Sequence, residues 1–175
     1  MILSSQTIRH YCEEQDLISP FYERTRHEGM TFGLSPAGYD VRVEFDPKSL
    51  YPYRILNPGD FILASTIERF KMPNDLTASV ADKSSWARRG LAVQNTIIEP
   101  GWEGWLTLEL TNHGRETLRI EKGMAIAQIV FQRLDFPTDQ PYEGKYQDQR
   151  RGPVGAIRDI SDLSNAPGQG KVRGS

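Results

Sequence analysis

Apolar and polar positions change period several times along the chain, and each change marks an element. Ile8, Tyr11 and Cys12 recur at helical spacing, and Ser4 or Ser5 can serve as N-cap, which predicts a short N-terminal helix over 4–15. Residues 17–36 show no clear period. From Tyr39 the period is two: Tyr39, Val41, Val43 and Phe45 alternate with Asp40, Arg42 and Glu44, the pattern of a half-buried strand. Asn57-Pro58-Gly59-Asp60 is a turn, and strands are predicted at 61–67, 76–81, 91–98, 105–111, 118–120 and 124–131. One interruption is helical: Asp82 or Ser84 is a suitable N-cap and Gly90 a suitable stop, leaving at most two turns across 83–89. Short strands separated by regular turn signals argue a mainly-β barrel or sandwich.

Composition narrows the class. The chain has 175 residues, 38% hydrophobic and 25% charged, which suits a single globular domain. A net charge of −2 argues against a surface built for DNA or RNA. One cysteine, Cys12, excludes an intramolecular disulfide. With only His10, His27 and His113 beside it, the H-x-E and P-C-x-x-C signature of zinc deaminases cannot be assembled. No apolar run approaches ~18 residues and no secretory leader is legible, so no membrane association and a cytoplasmic location are expected. Beyond Phe136 the chain turns polar, and 155–175, ending APGQGKVRGS, is expected to be a flexible tail.

Four segments carry candidate chemistry. Lys83-Ser84-Ser85-Trp86-Ala87-Arg88 places two hydroxyls and an ammonium at a helix start, a pattern suited to phosphate, although a capped surface helix with solvated charges has the same spacing. In 105–111, Leu106, Leu108 and Leu110 share one face, leaving Trp105, Thr107, Glu109 and Thr111 on the other. Glu109 there is either an exposed carboxylate or a partly desolvated one with a raised pKa, suited to general-base work. Gln128 interrupts an apolar strand and needs a partner, backbone or ligand. Tyr142-Glu143-Gly144-Lys145-Tyr146-Gln147-Asp148-Gln149 is a polar loop able to close over a phosphate or a base.

Taken in order, Lys83-Ser84-Ser85-x-Ala-Arg-x-Gly-Leu, Glu99-Pro100-Gly101-x-x-Gly-x-x-Thr-Leu-Glu, Gly-Met-x-Ile-x-Gln and Gly-Lys-Tyr-x-x-Gln resemble the dCTP deaminases of the trimeric dUTPase-like superfamily. Gly38-Tyr39-Asp40-Val41-Arg42-Val43 and the N-terminal helix resemble that family too, so the likeness runs over most of 3–154. It implies a distorted β-barrel or jelly-roll-like subunit of dUTPase type, a single domain over 1–154 with a lid loop at about 140–154. It also implies a homotrimer with active sites between subunits, and hydrolysis of dCTP to dUTP and ammonia without zinc, Mg2+ accompanying the triphosphate, in dUTP and dTTP supply. dUTP or dTTP would be the product or feedback ligand.

By the same resemblance Glu109 is the catalytic glutamate, with Arg88 and Ser84 holding the attacking water. Lys83, Ser84 and Ser85 meet phosphate, and Tyr142, Lys145 and Gln149 belong to the lid over the triphosphate. Glu99 meets the deoxyribose 3′-hydroxyl, Thr96 keeps part of the base contact, and Gln128 is a further ligand contact. Two departures stand out. Lys83 replaces the commoner arginine and loses its bidentate fork. The stretch 93–99 is about two residues shorter than the family forms with Thr-Ala-His-Arg or Thr-Ala-Gly. A bifunctional enzyme giving dUMP and pyrophosphate, a deaminase of a 5-modified dCTP, and a dUTPase are the alternatives. The dUTPase blocks Gly-x-Ile-Asp-x-Asp-Tyr-Arg-Gly and Arg-Gly-x-x-Gly-Phe-Gly-Ser are not found here.

Overall fold

The computed structural model describes residues 1–157 except Glu28; of the tail expected over 155–175, residues 158–175 lie outside the described residues. Helix α1 (Ser5–Gln15) is followed by β1 (Ile18–Ser19), β2 (Thr25–His27), β3 (Met30–Ser35), β4 (Gly38–Glu44), β5 (Tyr53–Leu56), β6 (Phe61–Lys71) and β7 (Leu76–Asp82). Then come α2 (Ser84–Ala87), β8 (Leu91–Val93), β9 (Ile97–Ile98), β10 (Glu103–Asn112), β11 (Leu118–Glu121) and β12 (Ala125–Arg133). The strands pair antiparallel in the order β8-β10-β6-β4-β12-β7-β9, with β3 also on β4, β2 on β3 and β1 on β6; β11 and β5 form a separate ladder. The fold is thus mainly β, a long sheet curled into a partial barrel.

Side chains explain the curl. One face of β10 buries Leu106, Leu108 and Leu110, which join Tyr39, Phe70 and Phe131 in the core. Helix α1 adds Ile8, Tyr11 and Cys12 to it. Ser4 occupies the N-cap position, but its hydroxyl meets that of Thr7 rather than a free backbone N–H.

The chain between β8 and β9 matters most for the site. The expected single strand over 91–98 is two pieces on opposite edges of the sheet: Val93 pairs with Leu110 on β10, whereas Ile98 pairs with Ala78 on β7. Gln94, Asn95 and Thr96 make the crossing and are exposed.

The short helix expected within 83–89 is present, while its cap and the polar side of β4 differ from expectation. The helix over 83–89 is only four residues, Ser84–Ala87, with Lys83 at the N-cap position; tighter turns carry the chain on to Gly90. Gly90 has φ +89°, and a Cβ there would meet the backbone of Gly114. Asp82 is no cap, since its carboxylate accepts the Val93 N–H at 2.8 Å. Strand β4 is buried on both faces, because cations lie over its polar side: Lys83 pairs with Asp40 at 2.6 Å and Arg42 with Glu68 at 2.7 Å. Lys122 and Arg151 both reach Glu44, at 2.9 and 2.8 Å. Finally, the region without a period, 17–36, contains β1, β2 and β3.

Candidate active site

Strand β10 alternates strictly, so Thr107 and Glu109 project away from the buried leucines. They face a cavity of about 610 Å3. Phe61 and Leu63 of β6 form one wall, Leu63 directly opposite Glu109 in register. Ile97 and Ile98 of β9, with Thr96 and Glu99 at either end, form another, and Trp102 and Leu106 complete the apolar lining. Glu109 is half-buried. Its Oε2 is sealed from solvent and has no hydrogen-bond partner among the described residues. Burial raises its carboxyl above the ordinary glutamate range, offset in part by its own main-chain N–H. A carboxyl with one free oxygen beside a largely apolar cavity can take up and return protons.

The remaining side of the cavity is the C-terminal segment 142–156, through Tyr142, Tyr146, Gln149, Val154 and Ala156. It is tied down along the start of β10 and the turn before it. The Tyr142 N–H donates to the Pro100 carbonyl (2.8 Å), Trp102 Nε1 to the Tyr146 carbonyl (2.7 Å), and the Trp105 N–H to the Gln149 carbonyl (3.0 Å). Gly104 allows this approach: its φ is +143°, and a Cβ would lie 2.8 Å from the backbone N and O of Gln149. Arg151 anchors the far end on the buried Glu44.

Five sequence-derived candidates therefore line the cavity: Glu109, Thr96, Glu99, Tyr142 and Gln149. Six lie away from its lining. Ser84, Ser85 and Arg88 are exposed around α2, while Lys83 is buried against Asp40. Gln128 donates through Nε2 to the Ser35 hydroxyl, and Lys145 donates to the Ile157 carbonyl at 2.6 Å. Sequence reasoning did not single out Phe61, Leu63, Ile97, Trp102, Tyr146 or Val154 as lining. Leu63 is found only through its register with Glu109, and Trp102 through its bond to the C-terminal strap at 142–156, whereas Tyr146 stands in the Gly-Lys-Tyr-x-x-Gln motif already quoted. Among the described residues no three His, Cys, Asp or Glu side chains cluster to hold a metal ion.

Comparison with known proteins adds the following. A family model described as dCTP deaminase-like matches residues 46–134. A dCTP deaminase of Campylobacter fetus is 36% identical over 172 aligned positions, covering 83% of this chain and 92% of that protein. One of Campylobacter lari is 38% identical over 168 positions, covering 81% and 90%. Among solved structures, the 2′-deoxycytidine 5′-triphosphate deaminase from Agrobacterium tumefaciens superposes with a TM-score of 0.59 at 20% identity, over 76% of this chain and 47% of that one. The dUTPase from phage phi11 of S. aureus gives 0.50 at 18%, over 73% and 93%. The structural likenesses establish the fold.

Proposed function

The chain belongs to the dCTP deaminase family, and from that premise we propose that it hydrolyses dCTP to dUTP and ammonia. The observation that carries the chemistry is Glu109, which lines a cavity large enough for a nucleoside and keeps one buried oxygen without a hydrogen-bond partner among the described residues. Cytosine enters between the Phe61–Leu63 wall and Ile97–Ile98. Ionised Glu109 takes a proton from water as its oxygen attacks C4. The proton passes to N3; Glu109 then takes the proton left on the attacking oxygen and delivers it to the exocyclic amine, which leaves as ammonia while C4 becomes a carbonyl. Such a base contributes roughly 10²–10⁴-fold. Glu99, at the cavity edge, meets the sugar hydroxyl, and Tyr142, Lys145 and Gln149 attend the triphosphate and its Mg2+. Zinc has no part in this reading: Cys12 is buried, and none of the three histidines lines the cavity.

Ser84, Ser85 and Arg88 act in this reading on the site of a neighbouring protomer in a homotrimer. Two facts support this. All three are exposed and off their own protomer's cavity. Phe61 and Ile97, which line that cavity, remain 56% and 59% exposed in the single chain, as walls awaiting a cover. Lys83, already held by Asp40, steadies the start of α2 rather than extending toward phosphate. The product would enter dUTP supply for thymidine nucleotides.

The test is direct. The protein is incubated with dCTP and Mg2+ without added zinc, nucleotides are resolved by anion exchange, and ammonia is assayed. Equal amounts of dUTP and ammonia are expected. Glu109→Gln should bind dCTP but release no ammonia; an unaffected rate in that variant overturns the mechanism. dUMP with pyrophosphate would instead identify the bifunctional reaction.

A further inference from the structure

Thr107 projects on the same face of β10 as Glu109, two residues before it, and lines the same cavity. Its hydroxyl oxygen accepts two hydrogen bonds, both from the C-terminal strap. One comes from the Gln149 side-chain amide and one from the main-chain N–H of Val154, at 3.1 Å. The two donors stand on either side of the turn at 150–153, so a single oxygen gathers both arms of the strap. Both donor residues form part of the cavity wall. The outer end of the turn is held separately, by Arg151 on Glu44.

We propose that Thr107 is a positioning residue that holds the strap closed over the substrate, so that strap closure and the catalytic face of β10 are joined at one hydroxyl. This rests on the cavity being the substrate site. Valine has nearly the shape of threonine and suits a strand, but it offers no oxygen. Thr107→Val leaves two donors without an acceptor and the fold otherwise undisturbed. Serine keeps the oxygen.

The experiment has two readouts on the full chain. Trypsin cleavage at Arg150 and Arg151, located by mass spectrometry without nucleotide, reports strap docking. Steady-state kinetics with dCTP report its use. Thr107→Val is expected to be cut about tenfold faster and to raise KM for dCTP about tenfold, with a smaller change in kcat. Thr107→Ser should return both to within about twofold of wild type. Equal protection of the Val variant and wild type overturns the proposal, as does lost protection with unchanged KM, or failure of serine to rescue. If wild type does not turn over dCTP, the substrate reading fails, while the protection ratio still decides whether Thr107 holds the strap.

Discussion

Glu109 has one buried carboxylate oxygen with no hydrogen-bond partner among the described residues, and burial favours its neutral form. In the unfolded chain it titrates near the ordinary value of about 4.3. In the fold it holds its proton to higher pH. As pH rises through the ordinary range the unfolded state ionises first, so the native state loses stability until the raised native value is passed. Glu109→Gln has no such loss. Thermal melts of wild type and Glu109→Gln at about pH 4 and about pH 7.5 should show the gap shifting in the variant's favour at the higher pH. A constant gap would mean that the carboxyl is not desolvated. For the same reason the acid limb of kcat/KM for dCTP should lie above the ordinary glutamate range. At this scale the sequence was informative where chemistry follows a strand's period. Glu109 and Thr107 share a face because 105–111 alternates. Lys83 was not legible in that way: its partner Asp40 is 43 positions distant, and only the fold brings the two together.

Among elements, β4 shows what alternation conveys and what it omits. Its apolar residues do point to the core, but its polar side is covered as well. Arg42 lies over the paired rings of Tyr22 and Phe32, 4.6 and 4.7 Å from their centroids, and its Nε and main-chain N–H both donate to Glu68. The Glu68 side chain is wholly buried. Arg42→Met should therefore destabilise the protein by about 3–5 kcal/mol, because it leaves that carboxylate uncompensated, whereas the double change Arg42→Met with Glu68→Leu should regain most of the loss. Urea unfolding of the two variants checks this; equal losses would show that the pair is not the stabilising contact. Strands β2 and β3 explain why 17–36 showed no period. Strand β2 is exposed throughout and carries no hydrophobic period, while β3 buries Phe32, Gly33 and Leu34 in succession, so neither face stands out. The break in 91–98 was hidden for a related reason. Val93 and Ile98 are both buried, but on opposite edges of the sheet.

At the scale of the whole molecule, the single chain separates the candidate groups. Glu109 lines the cavity, while Ser84 and Arg88 stand exposed around α2 and outside its lining. A cyclic trimer joins unlike surfaces of neighbouring copies, so each site would draw Glu109 from one protomer and Arg88 from the next. That arrangement has a numerical consequence. Glu109→Gln and Arg88→Ala trimers should each be inactive alone. In a trimer containing both kinds of chain, one of the three sites pairs an intact Glu109 with an intact Arg88, whichever variant is in excess. Random assembly of equal amounts puts about three quarters of the trimers in that mixed class, so unfolding and refolding the two together should recover about a quarter of wild-type activity. Size-exclusion chromatography with light scattering should give three times the chain mass for each variant and for the mixture. Recovery near zero from assembled mixed trimers would place Arg88 and Glu109 in the same protomer's site, and an active Arg88→Ala trimer would place Arg88 in none. Recovery near a quarter would show that no protomer holds a complete site and that Arg88 reaches Glu109 from a second copy of the chain.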